Sequence, residues 1–177
     1  MICIKRGLRR ALQGNMQLLS ILQALALLTL ANGTPVIVKK ICGSRLAVPL
    51  DRGMLFFDGQ PLFGKSKTVR GVVSAIAVTA ALAPLLKVSI AAGALVAVVA
   101  MIGDLFSSFV KRRLKLTPSS RAIGLDQIPE SLFPLLVGQK MLSLSFAEIA
   151  ACVAIFTVGE LIVSRFLYWL RIRDQPY

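Results

Sequence analysis

Histidine is absent from the 177-residue sequence, and acidic residues are few. The first absence removes the most common general base and metal ligand of proteins. The second leaves 21 Lys and Arg against 8 Asp and Glu, a formal net charge of +13 at pH 7. Such a charge is typical of proteins that bind nucleic acid, anionic lipid head groups or phosphorylated substrates. Because the charges are confined to short segments between apolar runs, nucleic acid is the least favoured of these partners.

Cysteine and charged residues are also scarce. Cys3, Cys42 and Cys152 are far apart and form no C-x-x-C pair, so neither a zinc site nor a disulfide framework is predicted. Only 16% of the residues are charged and 56% are hydrophobic, whereas soluble domains have about 25% charged residues. A soluble core of this size could not bury so much apolar surface, but a lipid bilayer accepts it. The sequence therefore predicts an all-α, polytopic integral membrane protein.

Five apolar runs predict about five transmembrane helices. We expect the first to be distorted near Gly33 and Pro35, and the second and third to form a hairpin around Lys87. The last ends in Tyr168 and Trp169, an aromatic pair typical of the membrane interface. Residues 1–15 are predicted to be a basic N-terminal extension, and residues 16–177 a single transmembrane domain. The predicted spans are Met16–Val38, Gly71–Leu86, Val88–Gly103, Ala122–Gln139 and Phe146–Leu170.

Outside the N-terminal extension, most basic residues fall on one side of this five-span topology. They lie in two basic segments, residues 39–70 and 104–121, and at the C-terminus, whereas the opposite loops hold only Lys87 and Lys140. The positive-inside rule makes the basic side cytoplasmic, in a multi-pass protein of the cell membrane. The topology leaves one feature unexplained, because it places the N-terminal cluster on the other side: Lys5, Arg6, Arg9 and Arg10.

The residues after Gly103 predict a polar helix face. If the helix continues, spacings of three, four, seven and eleven residues place one carboxylate, two hydroxyls and two ammonium groups together. Arg112 lies at the margin of this face and Arg113 lies behind it. The residues on the face are Asp104, Ser107, Ser108, Lys111 and Lys115.

A carboxylate at the level of the membrane is costly, so Asp104 is expected to have a partner. Asp126 opens the next apolar run and is expected at the same level. Two converging carboxylates suit Mg²⁺, which usually takes one or two carboxylates together with substrate phosphates and water. The alternative is that both acids only form ion pairs with Lys111 or Arg112.

The first basic segment has further donors for phosphate oxygens. Lys67, Thr68 and Arg70 lie in a glycine-bounded stretch, although a basic loop that faces anionic lipids is an alternative. Residues 59–66 also match the P-loop pattern G-x-x-x-x-G-K-[ST]. That pattern has its meaning only between a strand and a helix of an α/β sheet, and Pro61 removes one N–H group from the loop. We therefore do not interpret it as a P-loop.

Glu160 and Asn32 are two further polar residues inside predicted spans. Glu160 is expected to pair with Arg165 or to contact the first basic segment, and a catalytic role is the less favoured interpretation. Asn32 lies near the expected break in the first span. It either donates to a ligand or satisfies backbone groups that Pro35 frees.

Short motifs in a specific order give the sequence a family resemblance from Ala31 to the last span. It resembles the CDP-archaeol synthase family, membrane cytidylyltransferases related to the CDP-diacylglycerol synthases. The sequence departs from the family pattern at Arg52, where glycine is expected, and the histidine- and glycine-rich end of the wider group's signature is absent. The motifs are Ala31–Pro35, Pro49–Gly53, Asp58–Gly59, Gly64–Gly71, Gly103–Asp104, Ser108–Arg112 and Leu125–Gln127.

The resemblance implies that CTP and a phosphatidate-like lipid phosphate, archaeol-type or diacyl, give a CDP-activated lipid and pyrophosphate. Asp104 and Asp126 would hold Mg²⁺ at the cytoplasmic face, and no protein nucleophile is needed because positioning and charge neutralisation dominate this chemistry. The basic residues would neutralise the phosphates and the polar residues would donate hydrogen bonds. The basic residues are Lys67, Arg70, Lys111 and Arg112, and the polar residues are Asn32, Thr68, Ser107 and Ser108.

The alternative function is a small transporter or channel for an anionic substrate. Transporters usually have polar residues at mid-membrane, in two matching halves. This sequence has its polar residues mainly at one face and shows no internal repeat. A non-catalytic membrane subunit is a third possibility, but it would not need two carboxylates at one level.

Overall fold

The computed structural model describes residues 2–116, 122 and 124–169, with side chains from Gly14 onward in these ranges except at Leu167. In this part of the chain the only β pairing consists of two isolated bridges, Pro49 with Thr68 and Leu55 with Pro61. The prediction of an all-α protein is confirmed. The helices are α1 (Ile2–Cys42), α2 (Val69–Leu82), α3 (Ile90–Arg113), α4 (Gln127–Val137) and α5 (Phe146–Trp169).

Four of the described helices are long and apolar enough to cross a membrane. The 24 residues of α3 extend about 36 Å at 1.5 Å per residue, compared with about 30 Å for the hydrocarbon core of a bilayer. The prediction of a polytopic membrane protein is therefore confirmed. The candidate spans are Gly14–Cys42, Val69–Leu86, Ile90–Arg113 and Phe146–Phe166.

The fourth predicted run gives a shorter helix than expected. Helix α4 has 11 residues, about 16 Å, which is too short to span a bilayer alone. After it, Leu142 and Leu144 are buried in the same apolar cluster as Val88 and Ala92, which follow the turn between α2 and α3. Through α4 and the turns after it, the chain thus reaches the end of the molecule that holds the turn between α2 and α3. Helix α5 returns from there.

Helix α1 continues through Gly33 and Pro35, so the first span has no break there, and the expected distortion of the helix stays a prediction. Proline removes one backbone donor, but the hydroxyl of Thr34 donates to the Leu30 carbonyl and the amide of Asn32 donates to the Leu28 carbonyl. Neither bond goes to the carbonyl of Ala31, which Pro35 leaves without its usual donor. Packing against the neighbouring helices, rather than a replacement hydrogen bond, therefore stabilises α1 at Pro35.

The hairpin of α2 and α3 is confirmed, with Lys87 at its turn. Lys87 adopts the left-handed conformation with φ of 58°, and its N–H group donates to the carbonyls of Ala83 and Pro84. The Ser89 hydroxyl caps α3 by accepting from the Ala92 N–H group. The helices then pack closely, because a Cβ atom at Gly93 would lie 2.5 Å from the Ala83 Cβ atom.

The molecule has an apolar end and a polar end. At the apolar end the Gln23 amide donates to the Leu86 carbonyl beside the α2–α3 turn, so the preceding residues of α1 lie beyond that turn. At the polar end the two basic segments meet, since Arg113 pairs with Asp58 at 3.0 Å. Other basic residues of the sequence analysis lie outside the described residues or have undescribed side chains: Lys5, Arg6, Arg9, Arg10, Arg121, Arg171 and Arg173.

The first basic segment folds around the buried carboxylate of Asp51. This carboxylate accepts N–H groups from Gly53, Phe63 and Gly64 at 3.1, 3.1 and 2.8 Å. Burial alone would raise the pKa of Asp51, but the three backbone donors together hold the pKa below its ordinary value of 3.8. The ionised carboxylate therefore fixes the loop at neutral pH.

We expect the substitution Asp51→Ala to loosen this loop, because three backbone donors lose their acceptor. Trypsin should then cut faster after Arg52 and Lys65 than in the wild type or in Ser44→Ala, a control on the same loop. In the wild type, protection against pepsin should persist above pH 3.8 and disappear as the pH falls through the lowered pKa of Asp51. Equal cleavage of Asp51→Ala and Ser44→Ala would contradict this role of Asp51.

Candidate active site

A cavity of about 570 Å³ opens at the polar end of the molecule. It lies between the first basic segment, the end of α1, the last turns of α3, the start of α4 and the later turns of α5. Six basic and four acidic side chains line it among the described residues. They are Lys39, Lys65, Lys67, Arg70, Lys111 and Arg112, and Asp104, Asp126, Glu130 and Glu160.

The first ion pair of the cavity joins the loop to α3. The Lys67 ammonium lies 2.6 Å from both carboxylate oxygens of Asp104. Burial would lower the pKa of Lys67, but the Asp104 carboxylate raises it, and the net shift is upward, so the ammonium stays charged at neutral pH. Next to it, Thr68 caps α2 by accepting from the Gly71 N–H group at 3.2 Å.

The second ion pair joins α3 to the segment before α4. The Lys111 ammonium lies 2.7 Å from an Asp126 carboxylate oxygen. Gln127 stabilises the approach to α4, because its side-chain oxygen accepts from the Gly124 N–H group at 2.9 Å. The two aspartates thus line one cavity from neighbouring elements, and each has a lysine as its partner.

Gly103 allows α4 to approach α3 closely at the cavity. A Cβ atom at Gly103 would lie 2.3 Å from the Pro129 carbonyl oxygen and 2.8 Å from the Glu130 Cα atom. Any side chain there would force the two backbones apart. Glycine is therefore required for the distance between Asp104 and the start of α4.

Four other predicted site residues also line the cavity, in different environments. Arg70 donates to the carbonyls of Gly43 and Arg45, so its guanidinium also holds the loop against the end of α1. The others are Asn32, Ser108 and Arg112.

Ser107 and Lys115 are not brought to the cavity. The Ser107 hydroxyl is buried and donates to the Gly103 carbonyl at 3.0 Å. The prediction of Lys115 on the polar helix face is wrong, because α3 ends at Arg113 and Lys115 has φ of 55°. Arg113 lies outside the cavity, against Phe56 and Phe109.

Sequence reasoning missed Glu130 as a site residue. Its side chain is buried and hydrogen-bonded to Glu160, and its Oε1 atom has no hydrogen-bond partner among the described residues. The sequence feature that could have identified Glu130 is its spacing of four residues from Asp126, which places both residues on the same face of a helix. Glu160, expected to pair with Arg165 or to contact the loop, lines the cavity from α5.

The residues that match the P-loop pattern do not form a phosphate cradle. The N–H groups of Phe63 and Gly64 donate to Asp51, and the segment lies in a loop with no sheet in the described part of the chain. A P-loop needs these backbone donors free for phosphate. Residues 59–66 are therefore not a P-loop.

Apolar helices with a charged cavity at one end define a polytopic membrane protein suited to an anionic substrate at the membrane surface. A family model described as "CarS-like: CDP-archaeol synthase" matches residues 15–177. The CDP-archaeol synthase of Pyrobaculum islandicum is 31% identical over 152 residues, covering 83% of this chain and 91% of that protein. The one from Thermofilum pendens is 32% identical over 153 residues, covering 83% and 75%. The chain belongs to the CarS-like CDP-archaeol synthase family.

A solved structure of "an intramembrane enzyme for archaeal membrane lipids biosynthesis" is also similar. Its TM-score is 0.65 at 27% identity, covering 77% of this chain and 90% of that one. The resemblance seen in the sequence motifs is confirmed. The chain is a membrane CTP-dependent cytidylyltransferase for a lipid phosphate, rather than a transporter or channel.

Proposed function

We propose that this chain transfers CMP from CTP to an archaeol-type lipid phosphate and releases pyrophosphate at the cytoplasmic face of the cell membrane. The observation that carries the proposal is the single cavity in which Lys67–Asp104 and Lys111–Asp126 lie together at the polar end. The relatives named above, both CDP-archaeol synthases, support the archaeol-type acceptor. A diacyl acceptor is the alternative.

The reaction needs positioning and charge neutralisation more than a protein nucleophile. An oxygen of the lipid phosphate forms a bond to the α-phosphorus of CTP, and the bond from that phosphorus to the bridging oxygen breaks as pyrophosphate leaves. We assign Lys67, Lys111 and Arg112 to the phosphate charges, because their side chains line the cavity. Thr68 and Ser108 supply hydroxyl donors, and Arg70 and Asn32 lie at the rim nearest α1.

Ser107 has no part in this proposal, since its hydroxyl is buried against the Gly103 carbonyl. Glu130 is added to the site, since its buried Oε1 atom has no partner among the described residues. Two hydrogen-bonded carboxyl groups share a proton, so Glu130 and Glu160 together supply hydrogen-bonding oxygens to the cavity rather than two negative charges.

The donors of the cavity fit a divalent metal ion, which enzymes of this class generally use. Asp104 and Asp126 each already accept a cationic group, and they lie on neighbouring elements. Mg²⁺ usually takes one or two carboxylates and completes its coordination with phosphate oxygens and water, so two aspartates would be enough. We propose that these two aspartates hold Mg²⁺, which would neutralise charge on the CTP phosphates.

The polar end is proposed to face the cytoplasm. The two basic segments meet there, and positive charge favours the cytoplasmic side. CTP then reaches the cavity from water and the lipid phosphate reaches it from the adjacent leaflet.

The test is transfer of label from CTP labelled at the α-phosphate, with purified protein in detergent and Mg²⁺. An unsaturated archaeol-type lipid phosphate and a diacyl phosphatidate are supplied in separate reactions. We expect label in lipid with the archaeol-type acceptor. Label with the diacyl acceptor alone would change the assigned substrate. Folded protein that labels neither acceptor and does not bind CTP would overturn the proposed function.

A further inference from the structure

The tip of the first basic segment exposes apolar side chains outside the cavity. Phe57 is fully exposed, and Met54 and Leu55 are 58% and 65% exposed. These residues lie close together in the loop, between the exposed side chains of Arg52 and Asp58. Contiguous exposed apolar groups of this kind mark an interaction surface.

The tip is held in a fixed shape. The Phe56 N–H group donates to the Gln60 carbonyl at 2.8 Å, and the Leu62 N–H group donates to the Met54 carbonyl at 3.2 Å. A turn closes between them, where Gly59 donates to the Phe56 carbonyl at 2.9 Å. The apolar side chains are therefore presented by a hydrogen-bonded hairpin.

The hairpin is fastened to the outer side of α3. The Phe56 and Phe109 rings meet edge to face, with centroids 5.4 Å apart. The Arg113 guanidinium lies over both rings, at 4.7 and 4.8 Å, and donates to the Pro61 carbonyl at 2.7 Å. Its ion pair with Asp58 adds a further attachment.

This position continues the lipid-facing surface of α3. Val98, Ile102 and Phe106 are exposed at four-residue spacing on that helix, and Phe109 and Arg113 follow on the same side. Since α3 is about 36 Å long and the hydrocarbon core is about 30 Å thick, its last turn lies at the interface. The hairpin tip lies beside that turn.

We propose that Met54–Phe57 is an interfacial anchor that inserts into the leaflet on the active-site side. The occupant of this surface is the bilayer, for two reasons. The apolar tip is continuous with the exposed apolar stripe of α3, and the exposed Arg52, two residues before the tip, has a charge that complements anionic head groups. Phe63 and Lys65 follow the hairpin and line the cavity, so the anchor would keep this wall of the cavity near the membrane surface.

The anchor can be tested by tryptophan fluorescence, because Trp169 is the single tryptophan of the chain. In a Trp169→Phe background, Phe57→Trp places the reporter at the tip, and Lys65→Trp places a control on the same loop beside the cavity. Both proteins are reconstituted in phosphatidylglycerol vesicles with phosphatidylcholine brominated near the head group. We expect the tip reporter to have blue-shifted emission, to be quenched by brominated lipid and to be protected from acrylamide. The control should be quenched by acrylamide.

Two results would overturn the proposal. The first is a tip reporter that acrylamide quenches as strongly as the control and that brominated lipid leaves unchanged. The second is protection from both quenchers that disappears on dilution of the protein in lipid, which would assign the surface to a second copy of the chain. Leu55→Trp is a second reporter with the same expectation, in case Phe57→Trp does not fold.

Discussion

Asp104→Asn is expected to reduce label transfer by about 10²–10³-fold, the scale of losing one preorganised electrostatic group. The substitution keeps the shape of the side chain but removes the charge that faces the Lys67 ammonium at 2.6 Å. It also removes one of the two carboxylates proposed to hold Mg²⁺. The measurement is the initial rate with CTP labelled at the α-phosphate, on protein shown to be folded by gel filtration.

Asp58→Asn is the matched control, because it makes the same chemical change in another ion-paired aspartate. Asp58 pairs with Arg113 outside the cavity, and the hairpin keeps the Phe56–Phe109 contact and the bond from Arg113 to the Pro61 carbonyl, so we expect a rate close to that of the wild type. CTP binding with and without Mg²⁺ then separates two roles of Asp104. Loss of the Mg²⁺ effect on binding in Asp104→Asn supports a metal ligand. An unchanged Mg²⁺ effect would show that Asp104 only neutralises Lys67.

Gly103→Ala is expected to be the most damaging glycine-to-alanine change among the glycines whose surroundings the structure describes. The new Cβ atom would lie 2.3 Å from a backbone oxygen of Pro129, which no rotamer change can relieve. Overpacking of this kind costs about 1–3 kcal/mol or more of folding free energy. Since the backbone of α4 must move, Asp126 and Glu130 also move relative to Asp104. We expect a lower unfolding temperature in detergent and loss of label transfer.

The control is Gly159→Ala in α5, where a Cβ atom meets nothing within 4 Å. Alanine is favoured over glycine within a helix by about 1 kcal/mol, so this variant should be as stable as the wild type or more stable. If Gly103→Ala unfolds at the same temperature as Gly159→Ala, the close approach of α3 and α4 is not required for stability.

The helix periodicity after Gly103 was sufficient to predict one wall of the cavity. Asp104, Ser108 and Lys111 recur at helical spacing, and the helix does continue to Arg113. The same reasoning failed for Lys115, because periodicity cannot show where a helix ends. The left-handed conformation of Lys115 directs the chain away from the face that the spacing predicted.

The other walls depend on packing that no local pattern shows. Glu130 and Glu160 are 30 positions apart in the sequence and meet only because α4 and α5 both border the cavity. Hydropathy also overestimated the length of α4, because the predicted run begins at Ala122, whereas residues 124–126 form a turn and the helix begins only at Gln127. The family motifs and their order along the chain could be identified from the sequence. The close approach of α4 at Gly103 could be seen only in the structure.

The separation of the apolar end from the polar end has a consequence for mutational tolerance. The buried cluster that contains Leu28, Val96, Leu135 and Phe156 has none of the charged residues of the cavity. Volume-conserving exchanges in such a cluster usually cost less than about 1.5 kcal/mol. Sequence drift or engineering can therefore change thermal stability at one end of the protein while turnover at the other end stays the same.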